Sequence, residues 1–319
     1  MFSSFSEDEF NEKSLEVFRF QAKFNAVYGK FLEHLRVEPN RISKVDDIPF
    51  LPIELFKSHK IVVGENHPNT LVFSSSGTSG MTPSKHFVAK PDLYHKSFLK
   101  AFERFYGSPE DYRILALLPS YLEREGSSLI YMVNSLIEKS KHRASGFFLD
   151  NRNKLRKLLS EPTDRKTLLI GVSFALLDLV EEEPIDLKNT IVMETGGMKG
   201  RRKEITRKEL HRTLCKGFGV EAIHSEYGMT ELLSQAYSKG HAHFRCPPWM
   251  KILIRDAQDP FSKVSNGKSG GINVIDLANL YSCSFIATSD LGKLHQDGTF
   301  EVLGRMDYSD MRGCNLMVV

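Results

Sequence analysis

Apolar residues recur at three- and four-residue spacing from about residue 6 to residue 37. Val17, Phe20, Phe24, Val27, Tyr28 and Phe31 share one stripe, which predicts an amphipathic helix. Ile48-Pro49-Phe50-Leu51-Pro52 breaks that rhythm, because two closely spaced prolines favour an extended run. Residues 1–65 therefore read as a helical leader packed on a main body. Short apolar strands then alternate with amphipathic helices. Strands are expected at 70–75, 113–118, 167–170, 190–194 and 220–225, and helices at 93–105, 127–139, 174–182 and 203–217. Such alternation implies parallel strands joined by crossover helices, with ligands bound at the carboxyl ends of the strands. After about Trp249 the pattern shifts again. Runs at 251–255, 271–275 and 284–288 are short strands between Gly- and Asp-rich turns, and Asp297-Gly298 marks a hairpin. The expected organisation is an α/β core over 66–248, a β-rich subdomain over 249–305 and a short hinge-like tail over 306–319.

Composition narrows the partners. A net charge of +3 is spread along the 319 residues without a basic arm, which argues against nucleic acid as the main partner. The longest apolar run, 168–180, falls short of the roughly 18 residues a membrane span needs. The acidic, polar start at residues 1–10 is not a secretory signal. Cys215, Cys246, Cys283 and Cys314 are scattered with no CxxC pair, so a reducing cytoplasm is the expected setting.

Three segments carry candidate chemistry. Ser74-Ser75-Ser76-Gly77-Thr78-Ser79-Gly80 follows an apolar strand and combines glycines with hydroxyls. Backbone N–H groups turned inward there would suit a polyphosphate, with Lys85 adding charge, although a flexible surface loop has the same composition. The spacing is not that of a Walker loop. In Ser225-Glu226-Tyr227-Gly228-Met229-Thr230-Glu231, Glu231 is either a charge favoured at the start of a helix or a hard oxygen ligand for Mg²⁺. In Thr288-Ser289-Asp290-Leu291-Gly292, followed by Asp297-Gly298 and Gly304-Arg305, Asp290 and Arg305 are either a turn aspartate and a surface arginine or a polar clamp. His241-Ala242-His243-Phe244-Arg245-Cys246 has the residue types of a zinc site but lacks an evident fourth ligand. Ser173 lacks the second glycine of a nucleophile elbow, and His224 fits a packed core or a site equally well.

In this order, SSSGTSGxxPxK, YGMTE and TSDLG…DG…GR resemble the core motifs of the adenylate-forming enzymes: acyl-CoA synthetases, luciferases and peptide-synthetase adenylation domains. The resemblance implies ATP and Mg²⁺ as cofactors. It implies that Ser76, Gly77, Thr78, Ser79, Gly80 and Lys85 meet the β- and γ-phosphates, with one extra residue before the lysine than is usual. Glu231, with Thr78, would hold magnesium, and Asp290 and Arg305 the ribose. Gly196, Gly197, Tyr227, Gly228 and Thr230 would line the nucleotide, and the turn at Gly196-Gly197, which precedes Lys199, Arg201 and Arg202, matches where adenine and acyl group lie. The implied fold is the N-terminal core of that superfamily, with parallel and mixed sheets flanked by helices and a C-terminal β subdomain. The smaller C-terminal domain of acyl-CoA synthetases is expected to be absent, because the chain stops at Val319.

A narrower resemblance runs from about Pro49 to the end. Leu118-Pro119-Ser120-Tyr121-Leu122-Glu123-Arg124-Glu125-Gly126-Ser127-Ser128, Glu194-Thr195-Gly196-Gly197-Met198-Lys199-Gly200-Arg201, Cys246-Pro247-Pro248-Trp249-Met250 and Arg312-Gly313-Cys314-Asn315-Leu316 are similar to the LuxE-type acyl-protein synthetases. That resemblance implies activation of a fatty acid and its transfer as a thioester to a cysteine near the C-terminus, here Cys314. Delivery would be to a partner acyl-CoA reductase or another acyl acceptor protein. Arg312 beside Cys314 would favour the thiolate, the reactive form. The competing readings are an acyl- or aryl-CoA ligase of the phenylacetate type, a nucleotide-binding subunit that no longer turns over, and an acyl-chain carrier that does not use ATP.

Overall fold

A computed structural model describes residues 2–64, 67–68, 70–75, 82–119, 126–187, 189–197, 202 and 205–306. Ser76, Gly77, Thr78, Ser79, Gly80 and Cys314 lie outside the described residues, as do Lys199, Arg201 and Arg312.

The single helix expected over 6–37 is two: α1 (Glu7–Phe24) and α2 (Ala26–His34). Ser6 opens α1 with a capping box through Glu9. Asn25 makes the break. It is extended (φ −99°, ψ 106°), and its side-chain oxygen accepts from the Val27 and Tyr28 N–H groups, starting α2 as an N-cap. Its side-chain amide donates to the Ser282 carbonyl at 2.8 Å. The apolar stripe is real but shorter than read, since Phe24 is 49% exposed. Asn25→Ala removes the cap and strands the buried Ser282 carbonyl. It is expected to cost about 2–3 kcal/mol, measured by denaturant unfolding.

The proline-rich segment is extended as expected and forms β1 (Leu51–Pro52), followed by the short α3 (Leu55–Ser58). β2 (Leu71–Ser74) and β3 (Lys85–Val88) then pair antiparallel, so the Ser/Gly loop joins two strands of one hairpin. The α/β alternation follows: α4 (Pro91–Tyr106), β4 (Tyr112–Leu117), α5 (Ser128–Ser140), β5 (Gly146–Phe147), α6 (Arg152–Ser160), β6 (Lys166–Val172), α7 (Ser173–Glu182), β7 (Thr190–Thr195), α8 (Arg207–Phe218), β8 (His224–Tyr227) and β9 (Ala236–Ser238). The sequence pattern missed α6, whose nine residues bury only Leu155 and Leu159. It also opened β8 four residues too early.

The strands from β4 to β9 form a six-stranded sheet in the order β5-β4-β6-β7-β8-β9. All of its pairings are parallel except β8–β9. β4 and β6 are buried almost throughout, as strands covered on both faces must be. A second sheet contains β1, β10 (Met250–Arg255), β11 (Ser269–Asp276), β12 (Phe285–Leu294) and β13 (Phe300–Arg305). The hairpin at Asp297-Gly298 forms as expected: Leu294 pairs with Phe300, and Gly298 adopts φ +77°. β12 is longer than read, so Asp290 and Gly292 lie inside a strand.

The N-terminal helices belong to this second sheet. Phe18 and Tyr28 pack on Phe285 at ring-centroid distances of 6.0 and 6.2 Å. The Gln21 side chain donates to the Asn279 and Leu280 carbonyls and accepts from the Ser284 N–H. No helix among the described residues is long and apolar enough to cross a membrane.

Candidate active site

Pairing of β12 with β13 puts Asp290 directly opposite Arg305. Arg305 Nε lies 3.5 Å from Asp290 Oδ1, and the Tyr227 hydroxyl, at the end of β8, donates to Asp290 Oδ2 at 2.9 Å. The environment is one-sided: the Asp290 side chain is 13% exposed and that of Arg305 85%. Burial raises the Asp290 pKa while the Arg305 charge pulls against that rise. Tyr227 is fixed from behind by edge-on contact with Phe300 at 5.5 Å. Three expected site residues thus meet across two sheets.

Glu231 was expected at the opening of a helix. It sits instead in the turn between β8 and β9, because the chain reverses there to add β9 antiparallel to β8. The turn is held by groups from distant segments. His86 Nδ1 donates to the Thr230 carbonyl at 2.8 Å, and Asn279 Nδ2 donates to the Glu231 carbonyl at 2.7 Å. A carbonyl can only accept, so the His86 proton is on Nδ1. Burial pushes the His86 pKa down to about 4, which keeps the ring neutral. Asp276, fully buried, accepts from the Leu233 and Ser234 N–H groups, the Ser234 hydroxyl and the Ala278 N–H.

The Glu231 side chain is nearly buried as well, and burial raises its pKa. The Ser84 hydroxyl and the Arg305 charge pull the pKa down, while Asp290 adds to the rise. The Glu231 carboxyl therefore feels Ser84, Arg305 and Asp290.

Alternation along a strand explains where Lys85 goes. Ser84 and His86 are buried toward the Glu231 turn, whereas Lys85 is exposed on the other face, paired in register with Ser74. It stands at the base of the hairpin that carries the Ser/Gly loop, and no ion pair of Lys85 is seen among the described residues. The base is closed by Ser75 N–H to the Ser84 carbonyl at 3.1 Å and Ser84 N–H to Ser75 Oγ at 2.9 Å.

Gly196 and Gly197 follow the carboxyl end of β7, beside the end of β8. Gly196 has φ +67°, where a side chain would be strained. Thr195 Oγ1 donates to Glu226 Oε2 at 2.5 Å across the two strands. At Gly228 a Cβ would lie 2.4 Å from Glu226 Oε1, so a side chain there would make the Glu226 carboxylate shift. Behind this edge, Glu194 is buried, accepting from Arg207 at 2.7 Å and Ser173 at 3.1 Å. Arg207 is the main partner that holds its pKa low against burial. Ser173 is thereby a structural hydroxyl. His224 packs on Tyr106, with Nδ1 3.1 Å from the Tyr106 hydroxyl, and burial lowers its pKa to about 4.

His86, Asp276, Asn279 and Ser84 were not recognised in the sequence. Three of them act on backbone groups of the Glu231 turn from 42 or more residues away. Such a role leaves no local motif.

The architecture matches solved structures that place the chain among the adenylate-forming enzymes in fold. A 2-hydroxyisobutyryl-CoA ligase in an open conformation with 2-HIB-AMP and CoA superimposes with a TM-score of 0.72. It is 12% identical, over 95% of this chain and 70% of that one. ATP-bound MatB from Rhodopseudomonas palustris gives 0.57 at 18% identity, over 76% of this chain and 49% of that one. This chain thus spans about half the length of MatB.

Within that class the chain belongs to the LuxE acyl-protein synthetase family, whose model matches residues 3–114 and 169–319. A relative of named activity, the long-chain-fatty-acid–luciferin-component ligase of Vibrio harveyi, is 22% identical over 316 residues, 92% of this chain and 82% of the relative.

Proposed function

We propose that this protein uses ATP to activate a carboxylic acid as its acyl-adenylate and passes the acyl group to a thiol, its own Cys314, for delivery to an acceptor protein. The observation that supports this most is the meeting of Tyr227, Asp290 and Arg305, with Glu231 in a turn held by His86 of β3, in a chain of the acyl-protein synthetase family. The Vibrio harveyi relative, named for a long-chain fatty acid, makes a fatty acid the first substrate to test. The free thiols of Cys215, Cys246 and Cys283 suit a reducing cytoplasm.

The donor set fits a magnesium nucleotide. Glu231 offers a desolvated carboxylate, a hard ligand whose burial a cation would offset. Magnesium, when bound, would neutralise charge on the phosphates. Asp290 would accept from the ribose hydroxyls, kept in place by the Tyr227 hydroxyl, and the exposed guanidinium of Arg305 is free to swing to ribose or α-phosphate. Ser76, Gly77, Thr78, Ser79 and Gly80, with Lys85 at the hairpin base, would hold the outer phosphates, and Gly196, Gly197, Gly228 and Thr230 the edge of the nucleotide. A substrate carboxylate oxygen attacks the α-phosphorus and the bond to pyrophosphate breaks. The Cys314 thiolate then attacks the acyl carbon, a C–S bond forms, and AMP leaves with the electron pair of the broken C–O bond.

Incubation with ATP, magnesium and a panel of labelled acids tests both steps. Label should survive denaturation, be released by neutral hydroxylamine, and vanish in Cys314→Ser while ATP–pyrophosphate exchange persists. Equal label in Cys314→Ser removes Cys314 from the scheme. ATP binding without exchange for any acid would leave a nucleotide-binding subunit in its place.

A further inference from the structure

The sequence offered His241, His243 and Cys246 as zinc-type residues without a fourth ligand, and the fold regroups them. His243 is drawn to the β12–β13 hairpin, where it meets His295 and Glu301. One nitrogen from each histidine and a carboxylate oxygen all lie within 4.8 Å of one another. His295 Nε2 is 2.8 Å from Glu301 Oε1, and His243 Nε2 is 4.0 Å from the same oxygen. The two imidazoles stack at a centroid distance of 4.7 Å and an interplanar angle of 17°.

We propose that His243, His295 and Glu301 form a binding site for a divalent transition-metal ion, zinc in the first instance, with water completing the coordination.

Two imidazoles and one carboxylate are a donor set that suits zinc and its neighbours, whereas magnesium and calcium prefer oxygen alone. With metal–ligand bonds of about 2.0–2.1 Å, tetrahedral ligand atoms stand about 3.4 Å apart. The observed separations of 2.8 and 4.0 Å lie on either side of that value, so modest side-chain rotations close the site. On binding, the proton that His295 Nε2 directs at Glu301 moves to Nδ1, and the metal takes its place. All three side chains keep a water-accessible edge, being 47%, 24% and 30% exposed, so an ion can enter and retain a water.

The backbone carries an independent mark. His241 and Ala242 are consecutive non-glycine residues with φ of +56° and +58°. Left-handed conformations cost energy at both, and they turn the chain so that His243 faces the hairpin. Phe244 and Phe300 then exchange backbone hydrogen bonds at 2.8 and 3.0 Å, which locks the register of His243 against His295 and Glu301. A bound ion would rivet this loop to the hairpin whose other end bears Asp290 and Arg305. Phe300, paired with Phe244 of this loop, is also the ring that supports Tyr227, so a bound ion would brace the side of the site that holds Asp290.

The test is titration of untagged, full-length protein with ZnCl₂ by calorimetry, and with CoCl₂ by visible absorption, beside thermal unfolding with and without zinc. Wild type should bind one zinc ion in the micromolar range and rise in midpoint temperature. His243→Ala, His295→Gln and Glu301→Gln should each weaken binding at least about tenfold and lose the thermal shift. Cys246→Ser and Cys314→Ser should bind as wild type does. Absence of saturable binding overturns the site. So does binding that survives His243→Ala and His295→Gln, or that disappears with either cysteine.

Discussion

Glu231→Gln is expected to lower ATP–pyrophosphate exchange by about 10²–10³-fold, equivalent to about 3–4 kcal/mol of transition-state stabilisation. Fold stability should stay equal or rise. The opposite signs follow from where the residue is held. Its backbone is fixed by Asn279 and by the turn that Asp276 organises, and neither contact uses the carboxylate. The carboxylate itself is desolvated, and its charge is a burden on the folded protein that a bound cation would offset. Glutamine keeps the shape and removes the charge, so exchange and thermal midpoint measured on one sample separate the two roles. Exchange within threefold of wild type would refute the metal-ligand role. Loss of exchange together with a collapsed midpoint would make Glu231 a structural residue.

The largest stability effect is expected at Asp276. Each carboxylate oxygen accepts from a backbone N–H, Oδ2 from Leu233 and Ser234 and Oδ1 from Ala278, with the Ser234 hydroxyl added. An amide in its place presents an NH₂ group to one of those N–H donors whichever way it is flipped. Asp276→Asn is therefore expected to cost about 3–5 kcal/mol in denaturant unfolding, although it conserves volume. A loss under 1 kcal/mol would sink the argument.

The same residue shapes the pH response. Burial raises the Asp276 carboxyl from the ordinary 3.8 to about 6. Between those values the folded state binds more protons than the unfolded one. Its contribution is thus fully present below pH 3.8 and is lost as pH rises through about 6, by up to about 3 kcal/mol. His86 and His224, lowered to about 4, act in the other direction: their contribution is present above pH 6.5 and lost as pH falls through about 4. His86 and His224 therefore withdraw stability on acidification from pH 6.5 to 4, while the raised carboxyls of Asp276, Glu231 and Asp290 work against that loss. His86→Asn, which keeps a donor for the Thr230 carbonyl, should flatten that loss in unfolding curves taken at several pH values.

Much of this molecule was legible along the chain. The alternation of strands and helices, the hairpin at Asp297-Gly298 and the order of three motifs all follow from local periodicity and turn chemistry, which neighbouring residues decide among themselves. Motif order was enough to point to the adenylate-forming class and the LuxE family, and the fold and the family match agree. Errors arose where a local signal was overridden by tertiary pairing. The helix at 6–37 reads as continuous by its apolar stripe, yet Asn25 finds a better partner in Ser282, 257 residues away, and ends it. Glu231 reads as the start of a helix, but the strand that follows pairs back on β8.

What the sequence determined by itself was the class of element at each stretch and the residues worth watching, because periodicity, turn residues and motif spacing are short-range properties. Only the tertiary structure decided which of those residues meet. Cross-strand register brought Asp290 to Arg305, strand alternation turned Lys85 away from Ser84 and His86, and a left-handed turn carried His243 to His295 and Glu301. Each of these depends on pairing between segments far apart in the chain, and the energy that selects such a pairing lies in burial and hydrogen bonds that no single segment contains.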